Sequence, residues 1–116
     1  MNLKMKEQIS WNDFEKIDLR VGTIIESKPF EKAKNPSFKL WIDFGALGIL
    51  KSSAQITHLY ECEDLIGKQV MAVVNFPEKQ IADFMSQCLV LGVVGTEKEV
   101  VLIAPERKVV DGLRIG

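Results

Sequence analysis

Phe38-Lys39-Leu40-Trp41-Ile42-Asp43-Phe44 is the stretch on which the fold turns. Phe38, Leu40, Ile42 and Phe44 fall on one face of an extended chain and Lys39, Trp41 and Asp43 on the other, the period-two pattern of a strand with one face in a core. Gly45-Ala46-Leu47-Gly48 follows with hairpin-turn chemistry, and Ile49 to Gln55 reads as the returning strand, which turns polar at Lys51-Ser52-Ser53. Upstream, Leu19 to Lys28 is rich in β-branched residues and predicts a further strand, with Gly22 where a strand can bulge or bend. Pro29 to Ser37 contains two prolines and is the loop between these strands.

Farther out, Ile9 to Ile17 carries helix-start signals. Ser10 and Asp13 can cap each other, and Ile9 and Phe14 stand at the two positions of a hydrophobic staple, so a short helix is expected to plug or flank the sheet. A second short helix is expected over Glu61 to Ile66, ending at Gly67 as a left-handed cap. Gln69 to Phe76 is a strand too apolar at Met71-Ala72-Val73-Val74 for a one-sided sheet. Pro77 stops it, a loop or helical turn carries Lys79, Ile81, Phe84 and Met85, and Gln87 to Val93 and Val100 to Ala104 are the last strands.

About six short strands with a helix between the third and fourth match the order of an all-β, five-stranded OB-fold barrel with short helices and terminal extensions. The chain has 116 residues with no linker, repeat or low-complexity tract, so residues 1–116 are expected to form a single domain.

The composition, 47% hydrophobic and 27% charged, is that of a globular chain. A net charge of −1 excludes the broad basic field of many nucleic-acid binders, so any site for a polyanion must be local. The N-terminus, Met1 to Gln8, has lysines but no apolar segment behind them, and no run approaches the ~20 apolar residues of a membrane span. A cytoplasmic location without membrane insertion is expected. The two cysteines, Cys62 and Cys88, are too few and too widely spaced for a disulfide framework and read as reduced thiols.

Catalysis finds little support. His58 stands four residues before Cys62, within reach on one helical turn as base and nucleophile, but Glu61, Glu63 and Asp64 disfavour a thiolate there and no orienting group follows. The same residues lack the four-ligand spacing of a metal site. Cys88 lies in an apolar strand and reads as a small buried hydrophobe. No enzyme activity, metal or cofactor is expected.

The window Lys28 to Lys39 is more informative, because Lys28, Lys32, Lys34 and Lys39 stand against Glu31 alone, a local charge of +3. In an OB fold it is the loop between strands one and two, which rims the ligand face, and Lys51 and Lys79 can add to it. Phe30, Phe38, Trp41 and Phe76 could stack on unpaired bases, or could simply fill the core while the lysines keep a loop solvated. Ser52, Ser53 and Gln55 suit phosphates, 2′-hydroxyls or base edges. Asn75 ends an apolar strand and either fixes the neighbouring loop or reads a ligand.

Three segments together carry a family resemblance: Asp18-Leu19-Arg20-Val21-Gly22, Ser52-Ser53-Ala54-Gln55-Ile56-Thr57, and Asn75 to Ser86. They resemble the CsaA family, relatives of the tRNA-binding OB-fold domain appended to methionyl- and phenylalanyl-tRNA synthetases, over about Phe14 to Arg114. The resemblance implies a homodimeric five-stranded OB barrel whose terminal elements make the dimer contact. It also implies a binding surface at Lys34, Asn35, Lys51, Ser52, Ser53, Asn75, Lys79, Met85 and Ser86. One departure stands out: where the wider domain often has Gly-Met after the serine, this chain has Cys88-Leu89.

The dimer has a separate physical motive, since Cys88 to Val94 and Val100 to Ala104 are apolar on both faces, more than one small barrel buries. The leading expectation is therefore a homodimer that binds structured RNA, above all tRNA. Lys34, Lys51 and Lys79 would meet phosphates, Ser52, Ser53, Asn75 and Ser86 would supply hydrogen bonds, and Phe76 or Met85 an apolar platform. The competing expectation is a chaperone that holds extended or amphipathic peptide in a groove lined by Phe30, Phe76, Phe84 and Met85, for which the resemblance to CsaA implies unfolded preprotein or the export machinery as partner.

Overall fold

The alternation over 38–44 becomes strand β2 (Phe38–Asp43) in the computed structural model, which describes residues 4–116, and its core face is the expected one. Leu40, Ile42 and the following Phe44 are fully buried, each such side chain contributing about 1.5–3 kcal/mol by its removal from water. Residues 1–3, the start of the N-terminal stretch read above and of the expected domain span, lie outside the described residues.

Strand β1 (Leu19–Pro29) pairs with β2 through its second half and with β4 (Gln69–Val73) through its first. It is long enough to serve two edges because it bends at Ile25, an extra residue between the Ile24–Ile42 and Glu26–Trp41 partners. Gly22 is not that bulge: a Cβ there would lie 2.7 Å from Ile42 and from the Phe44 ring, so its glycine lets two core side chains approach the backbone. Strand β3 (Ile49–Ala54) returns along β2 after a single 3-10 turn at Gly45–Leu47.

The five-stranded sheet runs β3-β2-β1-β4-β7, with β7 at Leu89–Val90. Its edges come together where the Gln87 and Cys88 amides both donate to the Lys51 carbonyl, at 2.7 and 3.3 Å. The Lys51 amide donates to Gln87 Oε1 at 2.9 Å and the Ser52 hydroxyl to the Cys88 carbonyl at 2.9 Å, which nearly closes the OB barrel.

Helix α1 (Trp11–Glu15) has the expected reciprocal cap between Ser10 and Asp13, both bonds 3.0 Å, but it buries no residue and so flanks the barrel rather than plugging it. Helix α2 (Cys62–Leu65) is one turn that sends Leu65 into the core before Gly67, at φ 92°.

Three expectations differ. Strand β4 ends at Val73 rather than at Phe76, releasing Asn75 to Pro77 to the surface. The segment after Pro77 is neither loop nor helical turn but a hairpin, β5 (Lys79–Ile81) and β6 (Phe84–Ser86), whose turn uses Ala82 at φ 52° instead of a glycine. The strand expected over 87–93 is two elements: β7 in the barrel, then β8 (Gly92–Val94), which leaves it to pair with β9 (Val100–Leu102) as a separate ribbon.

The C-terminal segment returns to β1, with Val21 N–H donating to the Leu113 carbonyl and Ile115 N–H to the Leu19 carbonyl. Thr23 to Asp111 at 2.7 Å and Gln69 to the Val109 carbonyl at 2.7 Å pin it there.

Candidate functional site

On the outward face of β2 and β3, register sets Lys39 opposite Ser53 and Trp41 opposite Lys51. The β5–β6 hairpin lies over this face and anchors it with Phe84, whose ring meets Phe30 at 5.5 Å and Trp41 at 5.7 Å, edge to face. Lys28, Lys39 and Lys51 hold their ammonium groups 5.0 to 5.6 Å from rings of this cluster, contacts worth about 0.5–1 kcal/mol each at exposed positions. Lys32 in the 30–37 loop binds Asp83 at the hairpin turn at 3.0 Å, and that hydrogen bond holds the Asp83 carboxyl below the usual carboxylate range.

The hairpin packing exposes a cleft of about 530 Å³ between the end of β3 and residues 76–89. Ser53 and Gln55 line it from the end of β3, Phe76, Pro77, Glu78 and Lys79 from the segment after β4, and Ser86 and Leu89 from β6 and β7. Phe76 is 55% exposed, an aromatic ring open to solvent in the same cleft as Lys79. Beyond Gln55 a smaller polar pocket of about 260 Å³ opens, lined by Asn35, Pro36, Thr57, His58 and Lys98.

The structure therefore brings Ser53, Phe76, Lys79 and Ser86 into one cleft, with Lys51 beside it over the Phe84 ring. Lys34 and Asn35 stand exposed on the 30–37 loop, and Asn35 reaches the smaller pocket.

Five other expected site residues have different roles. Ser52 is 1% exposed and spends its hydroxyl on the Cys88 carbonyl, so it closes the barrel rather than facing a ligand. Asn75 is exposed, not buried. Its Oδ1 accepts from the Asp18 amide at 3.0 Å and its Nδ2 donates to the Lys16 carbonyl at 2.7 Å, which ties the end of α1 to the end of β4. Met85 pairs with Gln80 on the hairpin face opposite Lys79 and Ser86 and is absent from the cleft lining. Phe30 and Phe84, expected to line a peptide groove, are buried against each other. Of the four aromatics proposed for stacking, Phe38 is also core and Trp41 is half-buried under Phe84, which leaves Phe76.

The Cys88-Leu89 departure has a structural counterpart. Cys88 is buried in the β3–β7 seam, and burial pushes its thiol up to about 12, while Leu89 turns outward into the cleft. The Cys88 and Gln87 amides make their close backbone approach to β3, at the Lys51 carbonyl.

Gln55 was singled out with Ser52 and Ser53 for its chemistry but not placed on the binding surface, and Gln87 was not expected at all. Gln55 borders both the cleft and the smaller pocket, and the Gln87 side chain closes the seam through Lys51. Gln55 carried a weak signal as the last polar residue of its strand, whereas Gln87 carried none, since its partner is 36 residues away.

Comparison with known proteins identifies relatives of the same family and fold. A family model described as "Putative tRNA binding domain" matches residues 19–114. The chaperone CsaA of Bacillus anthracis str. Ames is 46% identical, with a TM-score of 0.91 over 95% of this chain and all of that one. The CsaA chaperone protein of Picrophilus torridus is 47% identical, with a TM-score of 0.88 over 94% of this chain and all of that one. Methionine--tRNA ligase of Chlorobium chlorochromatii (strain CaD3) is 33% identical over 95% of this chain, which spans 15% of the ligase.

Proposed function

The chain belongs to the tRNA-binding domain family and within it to the CsaA type, and from that premise we propose that it binds tRNA through the cleft between β3 and the β5–β6 hairpin. The domain is not itself catalytic; the methionine--tRNA ligases that share it match it over only about 15% of their length. One observation carries the assignment of the surface: Ser53, Phe76, Lys79 and Ser86, far apart in sequence, line a single cleft. That cleft lies at the end of β3, on the strand pair whose face OB folds use for oligonucleotides.

In this reading Lys34, Lys51 and Lys79 meet phosphates, Ser53 and Ser86 supply hydroxyls, Asn35 an amide, and Phe76 a ring for one unpaired base, a contact worth ~1–3 kcal/mol. Ser52 and Asn75 act behind this surface by holding β3 and the β4 terminus in place. The net charge of −1 limits long-range attraction, so affinity comes from these local contacts and falls steeply with salt.

A homodimer belongs to the same reading. The β8–β9 ribbon offers apolar side chains to solvent on a part of the molecule that the barrel does not cover, and two copies of the cleft on one two-fold would engage two regions of a folded RNA. A cytoplasmic location, where tRNA is met, belongs to the same reading.

A second reading, a chaperone for unfolded preprotein, draws on a different feature. An apolar groove of about 360 Å³ lined by Leu89, Val94 and Val100 continues from the Phe76 cleft. Of the aromatics first assigned to a peptide groove only Phe76 is open, so this groove would replace Phe30 and Phe84.

A titration with tRNA and with an apolar peptide across a salt series separates the two. tRNA affinity is expected to drop by an order of magnitude or more between about 50 and 200 mM salt, while peptide affinity stays level or rises. Lys79→Ala is expected to weaken tRNA binding at low salt and reduce the salt slope by about one. Unchanged tRNA binding in that variant removes the cleft from the proposal.

A further inference from the structure

We propose that the smaller pocket beyond Gln55 is a nucleotide subsite, taking one unit of the RNA strand whose neighbouring unit lies in the Phe76–Lys79 cleft; this rests on the RNA reading above. Three separate segments build the pocket: Asn35 and Pro36 from the loop before β2, Gln55 to His58 after β3, and Lys98 from the β8–β9 turn. At about 260 Å³ it falls below the ~300–1,000 Å³ of sites for whole small molecules, the scale of one unit of a longer ligand.

Its chemistry separates it from the rest of the surface. Among the described residues no hydrogen bond or ion pair takes up the side chains of Asn35, Gln55, Thr57, His58 or Lys98. In the adjoining cleft Ser86 already accepts from the Ser53 amide and Gln87 from the Lys51 amide. Five polar groups that the fold does not use thus converge on one concavity. The Asn35 and Gln55 amides each present a donor beside an acceptor, the pattern that pairs with a base edge; the Thr57 hydroxyl serves either a 2′-hydroxyl or a base; Lys98 and His58 face a phosphate.

The position of Lys98 adds an independent observation. It adopts φ 67°, the left-handed region that favours glycine, in a turn closed by the Gly95 and Lys98 amides. A long cationic side chain is held where glycine would fit with less strain. The charges around it do not form a basic field: Glu97 is exposed on the same turn, and Glu99 folds back to accept from the Glu97 amide. Lys98 is therefore suited to one point contact, not to general attraction.

Gln55 connects the two sites, as it borders both. A single-stranded segment stacked on Phe76 would cross Gln55 and place its next phosphate and base in the pocket.

The test measures binding of a defined tRNA transcript, an unstructured oligouridylate and an apolar peptide to the full chain, for wild type, Lys79→Ala, Lys98→Gly and the Thr57→Val/His58→Ala double variant. Lys98→Gly is expected to weaken binding of both RNAs roughly three- to tenfold, with a salt slope lower by about one. Its unfolding midpoint is expected to stay level or rise as the turn relaxes, opposite in sign to its effect on binding and so beyond a merely structural role. The double variant is expected to weaken RNA binding by a similar factor.

RNA binding unchanged in both pocket variants, with Lys79→Ala weakened, overturns the subsite and leaves the cleft reading standing. Peptide binding weakened in the pocket variants while RNA binding is not overturns it in favour of a peptide contact. No salt-dependent RNA binding by the wild type overturns both.

Discussion

Strand β2 and the β8–β9 ribbon both carry branched aliphatic side chains on an extended backbone, and those side chains end in opposite environments. Leu40 and Ile42 are fully buried, whereas Val93, Val94 and Val101 are 59%, 69% and 49% exposed. Both are extended and antiparallel. The difference is closure: β2 sits in the middle of a sheet whose edges meet at the Lys51 and Cys88 seam, so its inner face points at four other strands. The ribbon is fixed to the barrel by its inward side, where Val100 and Leu102 pack on the core and the Leu102 amide donates to the Tyr60 hydroxyl at 3.0 Å. Apolar content alone says that a strand wants cover; topology decides whether its own chain supplies it.

The largest expected effect therefore lies in the barrel. Leu40→Ala empties part of a core with no solvent path and is expected to cost about 2–5 kcal/mol in chemical denaturation. Gly22→Ala attacks the same layer from the backbone. Its new Cβ falls 2.7 Å from Ile42 and Phe44, both fully buried, and overpacking of this kind costs about 1–3 kcal/mol. A Gly22→Ala protein as stable as the wild type would mean that the barrel breathes enough to absorb a methyl group, and the contrast with the ribbon would narrow.

In the ribbon the expected effect is smaller and of another kind. Val93 and Val101 are register partners on one face, both largely exposed. Val93→Lys is expected to change the stability of the isolated chain by no more than about 0.5 kcal/mol. It is expected to convert the proposed dimer to monomer in light scattering. Any lowered unfolding midpoint should appear only at high protein concentration, since association stabilises by mass action. Wild-type protein that scatters as a monomer at micromolar concentration breaks the dimer proposal; a concentration-independent loss as large as that of Leu40→Ala would place Val93 in the core.

The same contrast explains what was legible in the sequence. Where a residue's fate is set by near neighbours, the pattern was enough: the Ser10–Asp13 cap, the β2 alternation and the Gly45–Gly48 turn all form as expected. The β5–β6 hairpin was missed because its strands are three residues each and its turn uses Ala82, with no glycine or asparagine to mark it. The break between β7 and β8 was missed because the run is apolar apart from Gly92, whose place at the start of β8, against Val100, only partner choice explains. Within the site, Ser52 and Ser53 are neighbours of the same chemistry, yet strand alternation sends one into the seam and the other into the cleft. Asn75 stood out as an amide at a strand end, but its partners, Lys16 and Asp18, lie more than 50 residues away and no local pattern names them.

The two thiols sharpen the comparison with the least disturbance. Cys88 lies in the seam that closes the barrel, and burial there pushes its thiol from 9.0 up to about 12, while Cys62 is half-buried on the one-turn helix α2. Alkylation needs the thiolate and access to it. At one fixed alkaline pH the folded protein is expected to be labelled at Cys62, the thiol that solvent reaches, well before Cys88, which is labelled only on unfolding, as peptide mass mapping would read. The sign of the pH effect follows from the same shift. A thiol whose folded value is raised contributes fully below its unfolded value, and the contribution drains away as pH climbs through the folded one. Between about pH 9 and 12 the wild type should therefore lose more stability than Cys88→Ala, and the difference between the two curves isolates the thiol. Equal labelling of both cysteines in the folded state would show that the seam opens on its own. The barrel would then resemble the ribbon, a sheet with an accessible edge, and closure could no longer account for the difference between them.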